Sequence, residues 1–80
     1  LRGVEDLENE GLWLALRTVD GVDRAAHVRR HGRDPLVDGE RARAAETCVQ
    51  AGWLQVTPER VRLTPAGFLF ADEVSARLWR

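Results

Sequence analysis

Five of the seven glycines divide this chain into segments that each suit one helix or one pair of strands. They stand at Gly21, Gly32, Gly39, Gly52 and Gly67. Because glycine is unfavourable inside helices and common in turns and at helix ends, the segments between them predict separate, short elements. In a chain of 80 residues such elements indicate one domain, spanning 1–80, with one small core. No apolar run approaches the roughly 20 residues of a membrane helix.

The first segment predicts a helix over residues 6–17. Its apolar residues recur at helical spacing in two stripes: Leu7, Gly11, Leu14 and Ala15 on one, Leu12 and Leu16 on the other. Acidic residues at its start suit the positive end of the helix dipole. Because two stripes are apolar, we expect this helix to be well buried.

Two further helices are predicted from their end signals, over residues 24–31 and 39–51. Asp23 and Asp38 are favourable N-caps for them, and Gly32 stands where a left-handed residue ends the first of the two. The second carries a stripe of small and apolar residues at helical spacing, namely Ala42, Ala45, Cys48 and Val49.

The next segment carries the strand signal of the chain. Residues 54–57 and 60–63 alternate between apolar and polar side chains on either side of a Pro-Glu turn, which predicts a hairpin. Thr64 and Pro65 then favour the start of a last helix. The predicted fold is mainly α with a small β-hairpin, and it is winged-helix-like: three helices, a hairpin wing and a C-terminal helix.

The composition restricts the classes of protein further. The chain has no methionine, so we expect it to be a fragment of a longer protein. Its formal net charge of −1 argues against a domain whose main task is holding a nucleic acid backbone. Its single cysteine cannot form an internal disulfide, which fits a cytoplasmic location.

Several motifs in their order along the chain resemble one known family. The segments are 10–17, 20–23, 51–54, 60–67 and 72–74, which read EGLWLALR, DGVD, AGWL, RVRLTPAG and DEV. Together they resemble the C-terminal domain of the oxygen-independent coproporphyrinogen III oxidase-like radical-SAM proteins, a group that includes haem chaperones. The similarity spans residues 10–78.

This resemblance implies an accessory role. In the family, an iron–sulfur cluster and S-adenosylmethionine are bound by an N-terminal barrel that carries a three-cysteine motif. Cys48 is the only cysteine here, so no catalytic residue carries over. The resemblance implies a non-catalytic domain that packs on or covers the parent barrel, with a role in porphyrin or haem biosynthesis or delivery and with a tetrapyrrole as a candidate partner.

Two histidines are candidates for direct haem binding, which is a second hypothesis. His27 and His31 are four residues apart on a predicted helix, so both imidazoles lie on one side of it. Histidine is a common metal and haem ligand, but two histidines are only half of a zinc site. The alternative is that they fill partly buried positions near a helix end, and that Cys48 is buried and inert.

A third hypothesis is a winged-helix module that binds nucleic acid. It would use Arg41 and Arg43 on the third helix with Arg60 and Arg62 on the hairpin. The same face could instead be solvated or dock on the missing parent domain. The candidate interface residues are therefore Arg41, Arg43, Trp53, Arg60, Arg62 and Trp79, with Trp13 expected to fill the core.

Overall fold

The structure, a computed structural model, describes the backbone of residues 4–79 and the side chains of residues 7–79. Its elements in chain order are α1 Val4–Leu16, β1 Val22–Asp23, α2 Arg24–His31, α3 Gly39–Gln50, β2 Leu54–Val56, β3 Arg60–Leu63, α4 Pro65–Phe68 and α5 Ala71–Leu78. The prediction of a mainly helical domain with a small hairpin is confirmed. Among these residues no helix has the length and hydropathy that crossing a membrane requires.

Local end signals define α2 and α3 as the sequence predicts. The Asp23 carboxylate accepts a hydrogen bond from the amide of Ala26 at 3.0 Å, and Asp38 caps α3 by accepting from the amides of Glu40 and Arg41. Gly32 ends α2 in the left-handed conformation, with φ of 80°. Each cap satisfies backbone groups that the helix itself leaves unpaired.

The sheet has three strands rather than the two of the predicted hairpin. Besides the β2–β3 hairpin, the short strand β1 pairs antiparallel with β3 and places Val22 opposite Val61. Two residues are too few to show an alternating pattern, so the sequence indicates only a turn there. Gly21 directly precedes β1 with φ of 70°, and a side chain at this position would collide with the carbonyl oxygen of Val61. Glycine is therefore required where the chain joins the sheet edge.

The predicted single C-terminal helix is instead two helices, α4 and α5. The amides of Leu69 and Phe70 bond to carbonyls three residues back, which tightens and ends α4. Phe70 has φ of −121° and ψ of 26°, outside the helical region, and its ring stacks on Trp53 with 4.7 Å between centroids. The break between α4 and α5 thus coincides with the contact between Phe70 and Trp53. Because these residues are 17 positions apart in sequence, no local sequence pattern predicts the break.

The core lies where α1, α3 and α5 meet the inner face of the sheet. Its buried apolar residues are Leu12, Leu16, Val22, Ala45, Cys48, Leu54, Val61, Leu63, Val74 and Leu78. The expectation that α1 buries both its apolar stripes is wrong, because Leu7 and Leu14 are 53% and 61% exposed. The face of α1 that carries Leu12 and Leu16 instead includes two polar residues, Glu8 and Asn9, and all four are buried.

Candidate functional site

A buried carboxylate on α1 organises the polar interior of the domain. The Glu8 side chain is 2% exposed. Arg33 donates to it through Nη2 at 2.6 Å and Nε at 3.1 Å, and Arg41 donates through Nη1 at 3.2 Å. The hydrogen bonds from Arg33, aided by those from His27 and Arg41 and opposed by burial, lower the pKa of Glu8 from 4.5 to about 2.

Arg41 lies in the interior, although its sequence position suggested a surface that contacts phosphate. Its side chain is 1% exposed. Besides Glu8, its guanidinium donates to the side-chain oxygen of Asn9 at 2.9 Å and to the carbonyls of Pro35 and Leu78 at 3.2 Å and 2.8 Å. Arg41 therefore ties α1, the loop before α3 and the end of α5 together, and it is not available to an external partner. The prediction of Arg41 as an interface residue is corrected by this burial.

His27 belongs to the same buried cluster. Its Nε2 lies 2.9 Å from Oε2 of Glu8. Because an ionised carboxylate only accepts hydrogen bonds, this nitrogen of His27 carries a proton that it donates to Glu8. His27 is buried, and this nitrogen is already engaged, so the residue serves the packing of α1 against α2.

His31 is more accessible than His27. The two rings are 4.5 Å apart between centroids, as their spacing on one helix predicts. Burial, followed by the nearby charge of His27, lowers the pKa of His31. A Cβ added at Gly11 would lie 3.6 Å from Nε2 of His31, so the imidazole rests against α1 where that helix has no side chain.

The surface between α1 and α2 holds two adjoining cavities that share Gly11, Arg30 and His31. One is about 450 Å³ and includes Ala15 and His27 in its lining. The other is about 490 Å³ and extends along the exposed apolar residues of α1, Leu7 and Leu14. This cleft combines an apolar wall with three basic side chains, those of His27, Arg30 and His31, and its lining also includes Glu10 and Asp23. Among the described residues, no three His, Cys, Asp or Glu side chains come together to hold a metal ion.

The other three arginines of the nucleic-acid hypothesis lie at the surface. Arg43 is exposed on α3. On the sheet, Arg60 lies 3.9 Å from the carboxylate of Asp23, and Arg62 donates to the side chain of Gln55 at 2.6 Å. The structure thus removes one of the four arginines from the predicted face.

The three tryptophans occupy different environments. Trp53 is half-buried and stacks on Phe70. Trp79 is 41% exposed just after α5, and Trp13 is 40% exposed on α1. The expectation that Trp13 fills the core is wrong, because the Leu12–Leu16 face of α1 points inward and Trp13 lies off it. Arg17 covers the Trp13 ring, with its guanidinium carbon 3.6 Å from the ring centroid.

Sequence reasoning missed Glu8, Asn9 and Arg33. One signal was available for Glu8, which is four residues before Leu12 and so shares its helix face. The partners of Glu8 are 19, 25 and 33 residues away. Arg33 was therefore not identifiable from spacing along the chain.

Cys48 is fully buried in the core, and burial raises the pKa of its thiol. The prediction of a buried cysteine is confirmed. A thiol of this kind is neither a reactive nucleophile nor an accessible ligand.

The chain is similar to a known protein family. Neither the curated proteins nor the solved structures include a significant match to this chain. The family model described as the HemN C-terminal domain matches residues 4–70. That range contains the elements α1 to α4, whereas α5, which packs into the same core, follows it. Because the match covers most of the sequence, the chain belongs to the HemN C-terminal domain family.

Proposed function

We propose that this chain is a non-catalytic accessory domain of a HemN-like protein, and that it acts by packing on or covering a catalytic barrel. The observation that carries this proposal is the family match over residues 4–70. By the resemblance, the barrel would bind the iron–sulfur cluster and S-adenosylmethionine. The parent protein would act in porphyrin or haem biosynthesis or delivery. The single buried cysteine supports a cytoplasmic location for it.

The engagement of the ionisable side chains in the interior supports a structural role. Glu8, His27 and Arg41 hydrogen-bond within the domain, and Cys48 is enclosed by apolar neighbours. A general acid or base must reach a substrate proton directly or through one water. These groups instead hold the helices together. We therefore assign the domain a structural role, in which its surface contacts a partner.

The exposed apolar side chains supply such a surface. Leu7 and Leu14 lie two turns apart on the side of α1 that borders α2, Trp13 lies on the side of α1 that borders α5, and Trp79 follows α5. Tryptophan is enriched among the residues that dominate protein interfaces, and contiguous exposed apolar patches mark such interfaces. We infer that α1 and the end of α5 face the barrel.

Two observations test this function. The coding sequence upstream of Leu1 is expected to specify a closely spaced three-cysteine cluster. In addition, hydroxyl-radical footprinting of the chain alone and of the same chain joined to its barrel should show protection of Trp13, Trp79 and Leu14 in the joined protein, with Val37 as an exposed control. An upstream sequence without the cluster, or equal oxidation in both forms, would contradict the proposal.

Direct tetrapyrrole binding is a second candidate, and the cleft between α1 and α2 favours it. His31 lines both cavities of that cleft beside Arg30 and apolar residues of α1. Haemin titration of the wild-type chain and of His31→Ala, followed by the Soret band, separates this role from packing. Binding through the cleft predicts a Soret shift that is lost in the variant. An unchanged haemin spectrum with the wild-type chain excludes it.

A further inference from the structure

The seam between α1 and α5 contains an open cavity that combines two tryptophans with a carboxylate. It is about 440 Å³ and is lined by Trp13, Asp72, Ala76 and Trp79. Trp13 comes from α1, whereas the others come from α5 and the residue that follows it. Indole rings attract cations through their faces, and a carboxylate attracts them by charge and hydrogen bonding.

Within the domain, Arg17 already makes both kinds of contact at one side of the seam. The Arg17 guanidinium lies over the ring of Trp13 at 3.6 Å, and it also pairs with Oδ1 of Asp72. Arg17 is held there by Ser75, whose hydroxyl accepts from its Nη1 at 3.0 Å. A guanidinium is thus accommodated between an indole face and this carboxylate.

The carboxylate of Asp72 retains capacity for a second donor. Its side chain is 95% exposed, whereas that of Arg17 is 25% exposed. Only Oδ1 of Asp72 has a hydrogen-bond partner within the part of the chain that the structure describes. Oδ2 is therefore accessible to a donor that approaches from solvent across the cavity.

We propose that the Trp13–Asp72–Trp79 seam binds the side chain of an arginine that a partner polypeptide presents. A planar guanidinium fits this set because it can stack flat on an indole face while its N–H groups donate to a carboxylate oxygen. An ammonium group is also attracted to both groups, but it has no plane that can stack on the ring. The inference rests on the proposed function, since Trp79 belongs to the surface that we assign to the partner. It adds the chemistry of the contact.

Nuclear magnetic resonance of the tryptophan indole N–H groups tests the seam without any partner protein. The probe is N-acetyl-arginine amide at constant ionic strength, with the uncharged isostere N-acetyl-citrulline amide as the control. Trp53 does not line the cavity, so its indole signal is an internal control. We expect the Trp13 and Trp79 signals to shift with a dissociation constant on the order of 10 mM, while the Trp53 signal stays in place.

Two variants with the same change of charge locate the effect. Asp72→Asn should weaken binding of the arginine probe about threefold. Glu73→Gln removes a neighbouring carboxylate that pairs with Arg77 and should leave binding unchanged. Far-ultraviolet circular dichroism checks that both variants are folded. Equal shifts with the citrulline probe, no shift with arginine, or equal weakening by both variants would overturn the inference.

The outcome is distinguishable from failure of the proposed function. If the arginine probe does not bind while the barrel still protects Trp79, the docking proposal stands and the seam is not a guanidinium site. If the probe binds and the barrel gives no protection, the seam takes its arginine from another polypeptide.

Discussion

Replacing Glu8 by glutamine is the most informative perturbation of this fold, because the two side chains have nearly the same shape and differ in charge. In the native domain the carboxylate lies among Arg33, Arg41 and His27. The amide would leave the guanidinium of Arg41, which is buried, without its counter-charge. Removal of one member of a buried ion pair destabilises proteins by about 3–5 kcal/mol.

The lowered pKa of Glu8 gives a second value for the free energy of unfolding that the charge contributes. The difference between 4.5 and about 2, at about 1.4 kcal/mol per pKa unit, corresponds to about 3–4 kcal/mol. The two values agree. A domain of this size has a total stability of about 4–12 kcal/mol, so Glu8→Gln should remove a large part of it and lower Tm by more than about 10 °C.

Urea denaturation followed by circular dichroism measures this loss, with Glu46→Gln as the matched control. Glu46 is exposed on α3, so its replacement should change the free energy of unfolding by less than about 0.5 kcal/mol. A Glu8→Gln variant that loses no more stability than Glu46→Gln at neutral pH would show that the Glu8 carboxylate does not stabilise the interior.

The pH dependence supplies a signature that general damage to the core would not reproduce. Because the folded-state pKa of Glu8 is lowered to about 2, its contribution is present in full above 4.5 and is lost as the pH falls toward 2. The wild-type chain should lose stability over that range, and Glu8→Gln should lose less. Parallel curves for the two proteins would contradict the assignment.

Three further predictions concern other parts of the domain. The pKa of His31 is lowered on folding, so the unfolded chain binds a proton at His31 at a higher pH than the folded chain does. The stability of the domain should therefore fall as the pH drops below 6.5, and it should fall less in His31→Gln. Gly21→Ala should cost on the order of 2–3 kcal/mol in urea denaturation, because it combines a positive φ with a collision at Val61. Gly52→Ala, with a positive φ but open space, should cost about 1 kcal/mol. Cys48 should react with a thiol reagent only after unfolding, and fast modification of the native domain would show that the core is open.

The sequence predicts most accurately where neighbouring residues decide the structure. The bounds of α2 follow from Asp23 and Gly32, whose cap interactions lie within four residues along the chain. The hairpin follows from its own alternation in the same way. Contacts between distant segments decide the features that the sequence does not announce, namely the pairing of β1 with β3 and the helix break at Phe70.

The candidate site shows the same division. The spacing of His27 and His31 correctly places their rings together. From the sequence, Arg41 is predicted to lie at the surface, because arginine is rarely buried unless it has a charged partner. That acceptor, Glu8, is 33 residues away. A pattern of hydrophobicity carries no information about which two charged residues will meet in the interior.

The central claim is that this domain contributes a contact surface rather than chemistry, and isothermal titration calorimetry tests it most directly. The chain is titrated into the separately purified catalytic barrel of its parent protein, in the wild-type form and as Trp79→Ala. We predict saturable equimolar binding by the wild-type chain and at least tenfold weaker binding by the variant, since an exposed tryptophan that anchors an interface contributes about 2 kcal/mol or more. Absence of binding by the wild-type chain, or equal affinity of both forms, would contradict the account.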